Sequence, residues 1–378
     1  MNMFYFEVKR FFKNPKNKIC LLILLLLFVA LFILNQTLFQ ESSSDRILAT
    51  TQMNLQQQQQ TVKVLEMEVE QSSQDRELNS QLEQAKKEEE ILSKQVVALT
   101  TNKVSEFADL QYQLQKLQLE NMDQSSAEYE ELQKNMTYYQ AVKTVGGRGS
   151  LMINDTTEAA FSLGSSMTAW LSSTTMFVLF TVLVADFLSV DIESSQIRFY
   201  QLIGGRRFKN LLFKLLVPVL VTFLFTLLAF VFLYFMKGGV DGFGTWNYPY
   251  LLDNGSIFPI WSIVLRTLVL FFLSLIFLAS LGQLLALMFK KSLVVIGLII
   301  VCLTGFFTLS QEEWFQTWKP FVVFEYLSYG QLIHDVSILP THSFWIGIAY
   351  LLSLSVLFFS ISYYFYKKFY YRKDVKKW

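Results

Sequence analysis

The sequence predicts an all-α integral membrane protein with six transmembrane helices and a long polar helical segment between the first and the second. The chain of 378 residues is 52% hydrophobic and only 17% charged, a composition typical of proteins embedded in a bilayer. Six apolar runs are long enough to cross the roughly 30 Å hydrocarbon core of a membrane. One polar stretch, residues 41–145, separates the first of these runs from the others.

Residues 1–17 predict a cytoplasmic amphipathic helix that lies in the plane of the lipid headgroups. Its apolar face consists of Phe4, Val8, Phe11 and Phe12. We expect Glu7 and the basic residues to occupy the rest of the helix surface, and a helix of this kind is drawn to anionic lipid. Pro15 ends the helix because the residue before a proline avoids helical backbone angles. A plain basic flank that only orients the protein is the alternative interpretation.

The six apolar runs are candidate transmembrane helices. They cover residues 18–39, 170–190, 211–236, 261–289, 292–310 and 344–366. No cleavage site of small residues follows the first run, so we expect a retained anchor rather than a signal peptide. Lys and Arg cluster in alternate connections and in both terminal segments, and such clusters mark the cytoplasmic side. Both termini are therefore predicted to be cytoplasmic, and residues 40–169 extracellular.

The polar segment, residues 40–150, predicts an extracellular helical hairpin or coiled coil. It contains neither Gly nor Pro up to Val145, and its apolar residues recur at three- and four-residue spacing, as in a coiled-coil seam. Because both ends return to the membrane, we expect two arms of about 45–50 residues, each reaching roughly 70 Å. The candidate tips are residues 71–74 and 100–102. Such a rod could bind an envelope protein, guard an exit or act only as a spacer.

Residues 151–378 hold the second to sixth apolar runs and end in a basic tail, which is predicted to be cytoplasmic. Within them, residues 191–207 combine an acidic start, alternating apolar and polar residues, a Gly-Gly turn and a basic cluster. A plain loop would not need this alternation, whereas a short helix that docks into another protein would. The candidate docking residues are Asp191, Ile192, Glu193, Gln196, Ile197, Phe199, Tyr200, Leu202, Ile203, Gly204, Gly205 and Arg206.

The order of these elements resembles the permease subunit of type-2 ABC exporters, the ABC-2-type family. The resemblance covers the whole chain except the polar segment. Glu193–Ile197, Leu202–Arg207 and Lys214 occupy the family's pattern after the second span, although the family often has Leu-Pro where this chain has Ile203-Gly204. The resemblance implies that residues 191–207 are the coupling helix, which seats in a groove of a separate ATPase subunit.

Motifs for catalysis are missing from the sequence. It contains no phosphate-binding G-x-x-x-x-G-K-[ST] pattern and no HExxH, CxxC or G-x-S-x-G pattern. We therefore expect no enzymatic activity, no cofactor and no metal in this chain. By the resemblance, ATP and Mg²⁺ are bound by the partner ATPase.

The resemblance also implies the partners and the function. The expected partners are two copies of a cytoplasmic ABC ATPase, a second permease copy, identical or related, and membrane lipid. A net charge of +1 gives no reason to expect nucleic acid. The expected function is outward movement of an amphiphilic substrate, namely a lipid, a peptide antibiotic or a hydrophobic drug, across the bacterial cell membrane. The alternative is an ATPase-driven mechanotransmitting or sensor protein that acts on the envelope through its coiled coil.

Overall fold

The computed structural model is built almost entirely from helices. It describes residues 3–38, 43–71, 75–120, 122, 124–145, 153–154, 159–197, 207–310, 312–334 and 343–370. The chain divides into two compact units. Unit 1 contains Met1–Leu31, Met167–Leu233 and Val264–Trp378, and unit 2 contains Phe32–Ser166 and Tyr234–Ile263.

The α-helices of the described residues follow one another with short connections. They are α1 (Met3–Lys13), α2 (Pro15–Leu38), α3 (Ser43–Gln71), α4 (Arg76–Thr100), α5 (Val104–Leu119), α6 (Ala127–Val145), α7 (Leu163–Leu171), α8 (Thr174–Val184), α9 (Phe187–Glu193), α10 (Arg207–Asp241), α11 (Ile260–Phe289), α12 (Ser292–Leu309), α13 (Tyr329–His334) and α14 (Ser343–Tyr370). Single 3-10 turns occur at Ala160–Ser162, Glu313–Phe315, Lys319–Phe321 and Val323–Leu327.

Five of the described helices are long and apolar enough to cross a membrane: α2, α10, α11, α12 and α14. A bent pair, formed by Ala160–Leu171 and Thr174–Val184, makes a sixth candidate span if it is counted as one. The helical content and these spans agree with the predicted all-α membrane class.

The second candidate span differs from the single helix expected over residues 170–190. The chain there forms three short helices, and the first two are bent by 72°. At the bend the hydroxyl of Ser172 donates to the carbonyl of Thr168 at 2.7 Å, and that of Ser173 to the carbonyl of Trp170 at 2.8 Å. Serine hydroxyls that bond to nearby carbonyls compete with the helical ladder and favour a bend.

The break between α8 and α9 lies against a glycine of α11. A Cβ atom built on Gly282 would lie only 2.2 Å from the carbonyl oxygen of Ala185. This close approach of two backbones needs a residue without a side chain. Gly282 therefore allows α11 to pack directly on the break.

Unit 2 contains four antiparallel helices, α3 to α6, in place of the two long arms that the sequence predicted. α3 ends at Gln71 and α4 at Thr100, so a helix ends at each of the two candidate tips, and α5 ends at Leu119. Helices of 29, 25, 16 and 19 residues result, so no arm has the predicted length. Their common core contains Ala98, Leu99, Phe107 and Leu110, with Ile47, Leu48 and Tyr139 packed against it.

Unit 2 also includes a short β-hairpin from the connection between α10 and α11, which the sequence did not predict. Strands β1 (Pro249–Leu251) and β2 (Ile257–Pro259) pair antiparallel with Tyr250 opposite Phe258. The backbone N–H of Leu251 donates to Oδ1 of Asn154 at 2.8 Å. Lys134 on α6 donates to the carbonyl of Asp253 at 2.9 Å. The hairpin is thus attached to the chain that follows α6 and to α6 itself.

Candidate functional site

Helix α1 packs against protein rather than presenting its whole apolar face to lipid. Phe11 is fully buried, and its ring lies 6.2 Å from that of Phe187 on α9. The ring of Phe4 makes an edge contact with Phe213 on α10 at 5.9 Å. Val8 is half-buried, and Phe12 remains exposed. Only the exposed side of α1, which includes Phe12, is left to face the lipid headgroups as the sequence predicted.

Four charged side chains form a buried cluster at the meeting point of three helices. This ion quartet consists of Glu7 and Arg10 on α1, Asp191 on α9 and Lys214 on α10. The carboxylate of Asp191 contacts both the guanidinium of Arg10 and the ammonium of Lys214. Glu7 lies 3.4 Å from Arg10 and 3.3 Å from Lys214. Each negative group therefore faces both positive groups, and the four formal charges cancel.

Burial makes this quartet sensitive to loss of any member. The side chains of Glu7, Asp191 and Lys214 are fully buried, and only Arg10 is partly exposed. A buried charge that loses its partner costs about 3–5 kcal/mol. The arrangement therefore holds α1, α9 and the first turns of α10 in one mutual geometry.

A second ion group lies at the break before α9. Nζ of Lys16 lies 2.6 Å from the carboxylate of Asp186 and donates to the carbonyl of Val182 at 2.7 Å. The hydroxyl of Ser292 donates to the other carboxylate oxygen of Asp186 at 2.7 Å. Asp186 thus joins the start of α2, the break after α8 and the start of α12. Its side chain makes no capping hydrogen bond to α9.

The exposed end of α9 is attached to the turn between α11 and α12. Glu193 accepts a hydrogen bond from the backbone N–H of Ser292 at 3.2 Å and lies 3.8 Å from Nζ of Lys291. In the same turn Lys290 has a φ of 59°, an uncommon backbone angle for a residue with a side chain. The turn therefore presents the N–H of Ser292 and the ammonium of Lys291 to the end of α9.

The predicted docking residues divide by burial. Asp191 and Ile197 are buried, Ile192 is half-buried, and Glu193 and Gln196 are exposed. The remaining predicted residues lie outside the described part of the chain: Phe199, Tyr200, Leu202, Ile203, Gly204, Gly205 and Arg206. The segment is described as far as Ile197, so the structure shows how it begins.

The other members of the ion quartet were not among the candidate docking residues that the sequence predicted. Glu7 was placed on the polar side of α1, yet it is fully buried in the ion quartet. A usable signal exists, since residues 4, 7 and 11 share one helical face and Glu7 interrupts an aromatic stripe. Lys214 stands inside an apolar run, and ionisable residues in such runs are candidates for functional pairs.

The first turns of α10 are also held by α11 and α14. Nε2 of Gln283 donates to the carbonyl of Leu211 at 3.1 Å. Nδ2 of Asn210 donates to the hydroxyl of Tyr366 at 3.2 Å, and both residues are buried. The helix that bears Lys214 is therefore connected through polar contacts to two further candidate spans.

The charged side chains of the site connect helices to one another through ion pairs. They are not positioned as an acid, a base or a nucleophile for a reaction. The charged groups of the site are paired with one another. Within the described residues, no group of three or more His, Cys, Asp or Glu side chains is arranged to hold a metal ion. No protein-family model matches the chain, and comparison with curated proteins and with solved structures gives no match either.

Proposed function

We propose that this chain is the transmembrane permease subunit of an ATP-driven ABC-2-type exporter in the bacterial cell membrane. A separate cytoplasmic ATPase, present in two copies, hydrolyses ATP and moves two permease chains. The ion quartet is the observation that carries this proposal. It ties the first residue of the candidate coupling segment, Asp191, to two other helices through fully buried charges.

The ion quartet can transmit a displacement of the coupling segment to α1 and α10. A partner that presses on the segment after Asp191 also presses on α9. Because separating buried charges is costly, α1 and the start of α10 follow that displacement. Helix α10 has 35 residues and is long enough to cross a membrane. A shift at its first turns is therefore passed along a spanning helix, as in rigid-body switching between two states.

The second ion group extends this path. Asp186 links the same region to Lys16 at the start of α2 and to Ser292 at the start of α12. Glu193 adds a contact to the turn that precedes α12. Two more candidate spans thus begin at groups bonded to α9 or to its preceding break. This convergence supports a transmission element better than it supports a plain connecting loop.

The proposed topology follows from the placement of basic residues. Both termini and the two ion groups lie on the cytoplasmic side, and residues 40–169 lie outside. The helices α3 to α6 then form an extracellular element, in place of the long coiled coil expected from the sequence. The proposed cargo is amphiphilic, namely a lipid, a peptide antibiotic or a hydrophobic drug, because buried polar groups within the spans are mainly hydroxyls, such as those of Thr181, Thr222 and Thr226.

Co-purification with an ATPase tests the proposal. The chain is expressed with each ABC ATPase of its own organism that lacks a membrane domain, reconstituted in lipid nanodiscs, and assayed for subunit attachment and ATP hydrolysis. We expect Glu193→Arg combined with Gln196→Glu to weaken attachment at least tenfold, because both side chains are exposed at the start of the coupling segment. Glu128→Arg, an equally exposed change on α6, serves as the control.

Two outcomes would contradict the proposal. One is that no ATPase attaches to the unaltered chain. The other is that the altered coupling segment and the control bind the ATPase equally well. The mechanotransmitting alternative uses the same ATPase, so a transport assay separates it: under that alternative ATP hydrolysis continues but no amphiphile moves between leaflets or across the bilayer.

A further inference from the structure

A pocket of about 270 Å³ lies between the end of α1, the start of α2 and α9. This volume is near the lower end for sites that bind small organic ligands, roughly 300 Å³. The lining residues that matter here are Arg10, Lys13, Asn14, Asn17, Asp186 and Gln196. All belong to unit 1. The pocket is a separate space beside the ion quartet and shares only Arg10 with it.

The charges around the pocket leave one positive group in excess. Arg10 is balanced within the ion quartet, and Asp186 is balanced by Lys16 at 2.6 Å. Lys13 is exposed, and its ammonium has no ion-pair partner among the described residues. The pocket therefore carries a net charge of about +1, which suits a ligand group with a single negative charge.

A buried acceptor without a partner lies in the same wall. Asn17 is 2% exposed, and its Nδ2 donates to the carbonyl of Phe11 at 3.1 Å. Its Oδ1 has no hydrogen-bond partner. Because buried polar atoms are nearly always hydrogen-bonded, this oxygen indicates a ligand that brings an O–H or N–H donor. The carboxylate of Asp186 in the same lining favours the donor end of such a ligand over its negative end.

The position of the pocket along the chain points to lipid. The apolar span of α2 begins at Pro15, so Lys13, Asn14 and Asn17 lie where that span leaves the hydrocarbon core. Phospholipid headgroups occupy this depth.

We propose that this pocket binds one phospholipid headgroup that combines a phosphodiester with a hydroxyl or ammonium donor, as phosphatidylglycerol and phosphatidylethanolamine do. Lys13 contacts the phosphate oxygens, and Oδ1 of Asn17 accepts a hydrogen bond from the donor. Phosphatidylcholine carries the same phosphodiester but no O–H or N–H donor, so it leaves Oδ1 unpaired. Binding requires only this chain in a membrane or micelle, and it is independent of any ATPase.

Lipid titration of the purified full chain tests the headgroup. The chain is held in an uncharged detergent, and its thermal unfolding midpoint is followed as short-chain phosphatidylglycerol, phosphatidylethanolamine or phosphatidylcholine is added. A ligand that binds the folded state raises this midpoint in a saturable way. We expect the first two lipids to bind about tenfold or more tightly than phosphatidylcholine. Native mass spectrometry should show one retained lipid per chain.

Two further arms distinguish lipid from soluble phosphate. Glycerol 3-phosphate and inorganic phosphate carry related charge but no acyl chains, and we expect neither to raise the midpoint at the lipid concentrations used. Saturable stabilisation by either soluble anion at those concentrations would overturn the assignment to lipid. Equal affinity for phosphatidylcholine would overturn the role of Asn17.

Three lysine variants test the site itself. Lys13→Gln should weaken phosphatidylglycerol binding about tenfold, because a charge-assisted contact is lost. Lys9→Gln on α1 and Lys18→Gln on α2 remove the same charge at exposed positions outside the pocket lining. They should leave the affinity within about twofold of the unaltered chain. If all three variants weaken binding equally, the lipid is attracted only by general surface charge and the pocket proposal fails.

Discussion

The ammonium of Lys214 contacts the carboxylate of Asp191 across 23 residues of sequence, and both side chains are fully buried. Lys214 belongs to a helix long enough to span a membrane, and Asp191 to a short helix of seven residues. This ion pair therefore attaches the short helix α9 to the long helix α10.

Removing the positive member of this pair should be strongly destabilising. We expect Lys214→Met to lower the free energy of unfolding by about 3–5 kcal/mol, since Asp191 and Glu7 then lack half of their positive partners. Denaturant titration in micelles, followed by circular dichroism, measures the change. The double variant Lys214→Met with Asp191→Asn leaves the neutral Glu7–Arg10 pair. Its loss should be smaller than the sum of the two single losses; strict additivity would show that the two groups do not interact.

The close contact at Gly282 predicts a second destabilising change. In Gly282→Ala the new methyl group meets the backbone of Ala185 at 2.2 Å, so α11 has to move away from the break before α9. Overpacking of this kind costs typically about 1–3 kcal/mol, and the thermal unfolding midpoint should fall. Gly297 on α12 provides the matched control, because nothing lies within 4 Å of a Cβ built there. A midpoint for Gly282→Ala at or above that of Gly297→Ala would contradict the described packing.

Phe107 on α5 should dominate the core shared by the four helices of unit 2. Its side chain is 3% exposed and packs within the cluster that includes Ala98 and Leu110. Phe107→Ala should lower the free energy of unfolding of this unit by about 3–5 kcal/mol, because it leaves a cavity. Hydrogen exchange, read for α3 to α6, localises the effect. Val97→Ala, at a position that is 59% exposed, should change exchange there far less.

Tyr250 predicts a dependence of stability on alkaline pH. Burial, with the negative charge of Asp253 adding to it, raises the pKa of this phenol to about 12. The unfolded chain releases the proton near pH 10, so between pH 10 and 12 the folded state binds more protons than the unfolded state. The stability of the neutral buried phenol is fully present below pH 10 and is lost as the pH rises through 12. The loss over this window should be smaller in Tyr250→Phe, measured by thermal unfolding at each pH; parallel curves would contradict the assignment.

Hydropathy was sufficient to predict the membrane-spanning helices, because each of them can be recognised from its own stretch of sequence. Each apolar run is long, and its composition alone decides that it can be buried in a bilayer. The predicted runs therefore correspond closely to α2, α10, α11, α12 and α14. The division of residues 170–190 was not predicted, because the contact of Gly282 with Ala185 joins parts of the chain that are far apart in sequence.

The candidate site was also predicted only in part, because its contacts join residues that are far apart in sequence. The acidic start of the segment indicated Asp191 and Glu193, and both are bonded to other helices. What the pattern did not indicate was that Asp191 is buried, because burial depends on α1 folding back onto α9. The polar segment shows the reverse case: residues 71–74 and 100–102 were alternative tips of one predicted hairpin, whereas α3 ends at Gln71 and α4 ends at Thr100, so a helix ends at both places.

The second unit draws its chain from two separate places, Phe32–Ser166 and Tyr234–Ile263. It consequently cannot be removed as one continuous stretch of the chain. Excising α3 to α6, as one would to trim an inserted domain, would remove Lys134 and leave the hairpin around Tyr250 and Asp253 without the surface that covers it. Any shortened version of this protein would need a different loop between α10 and α11.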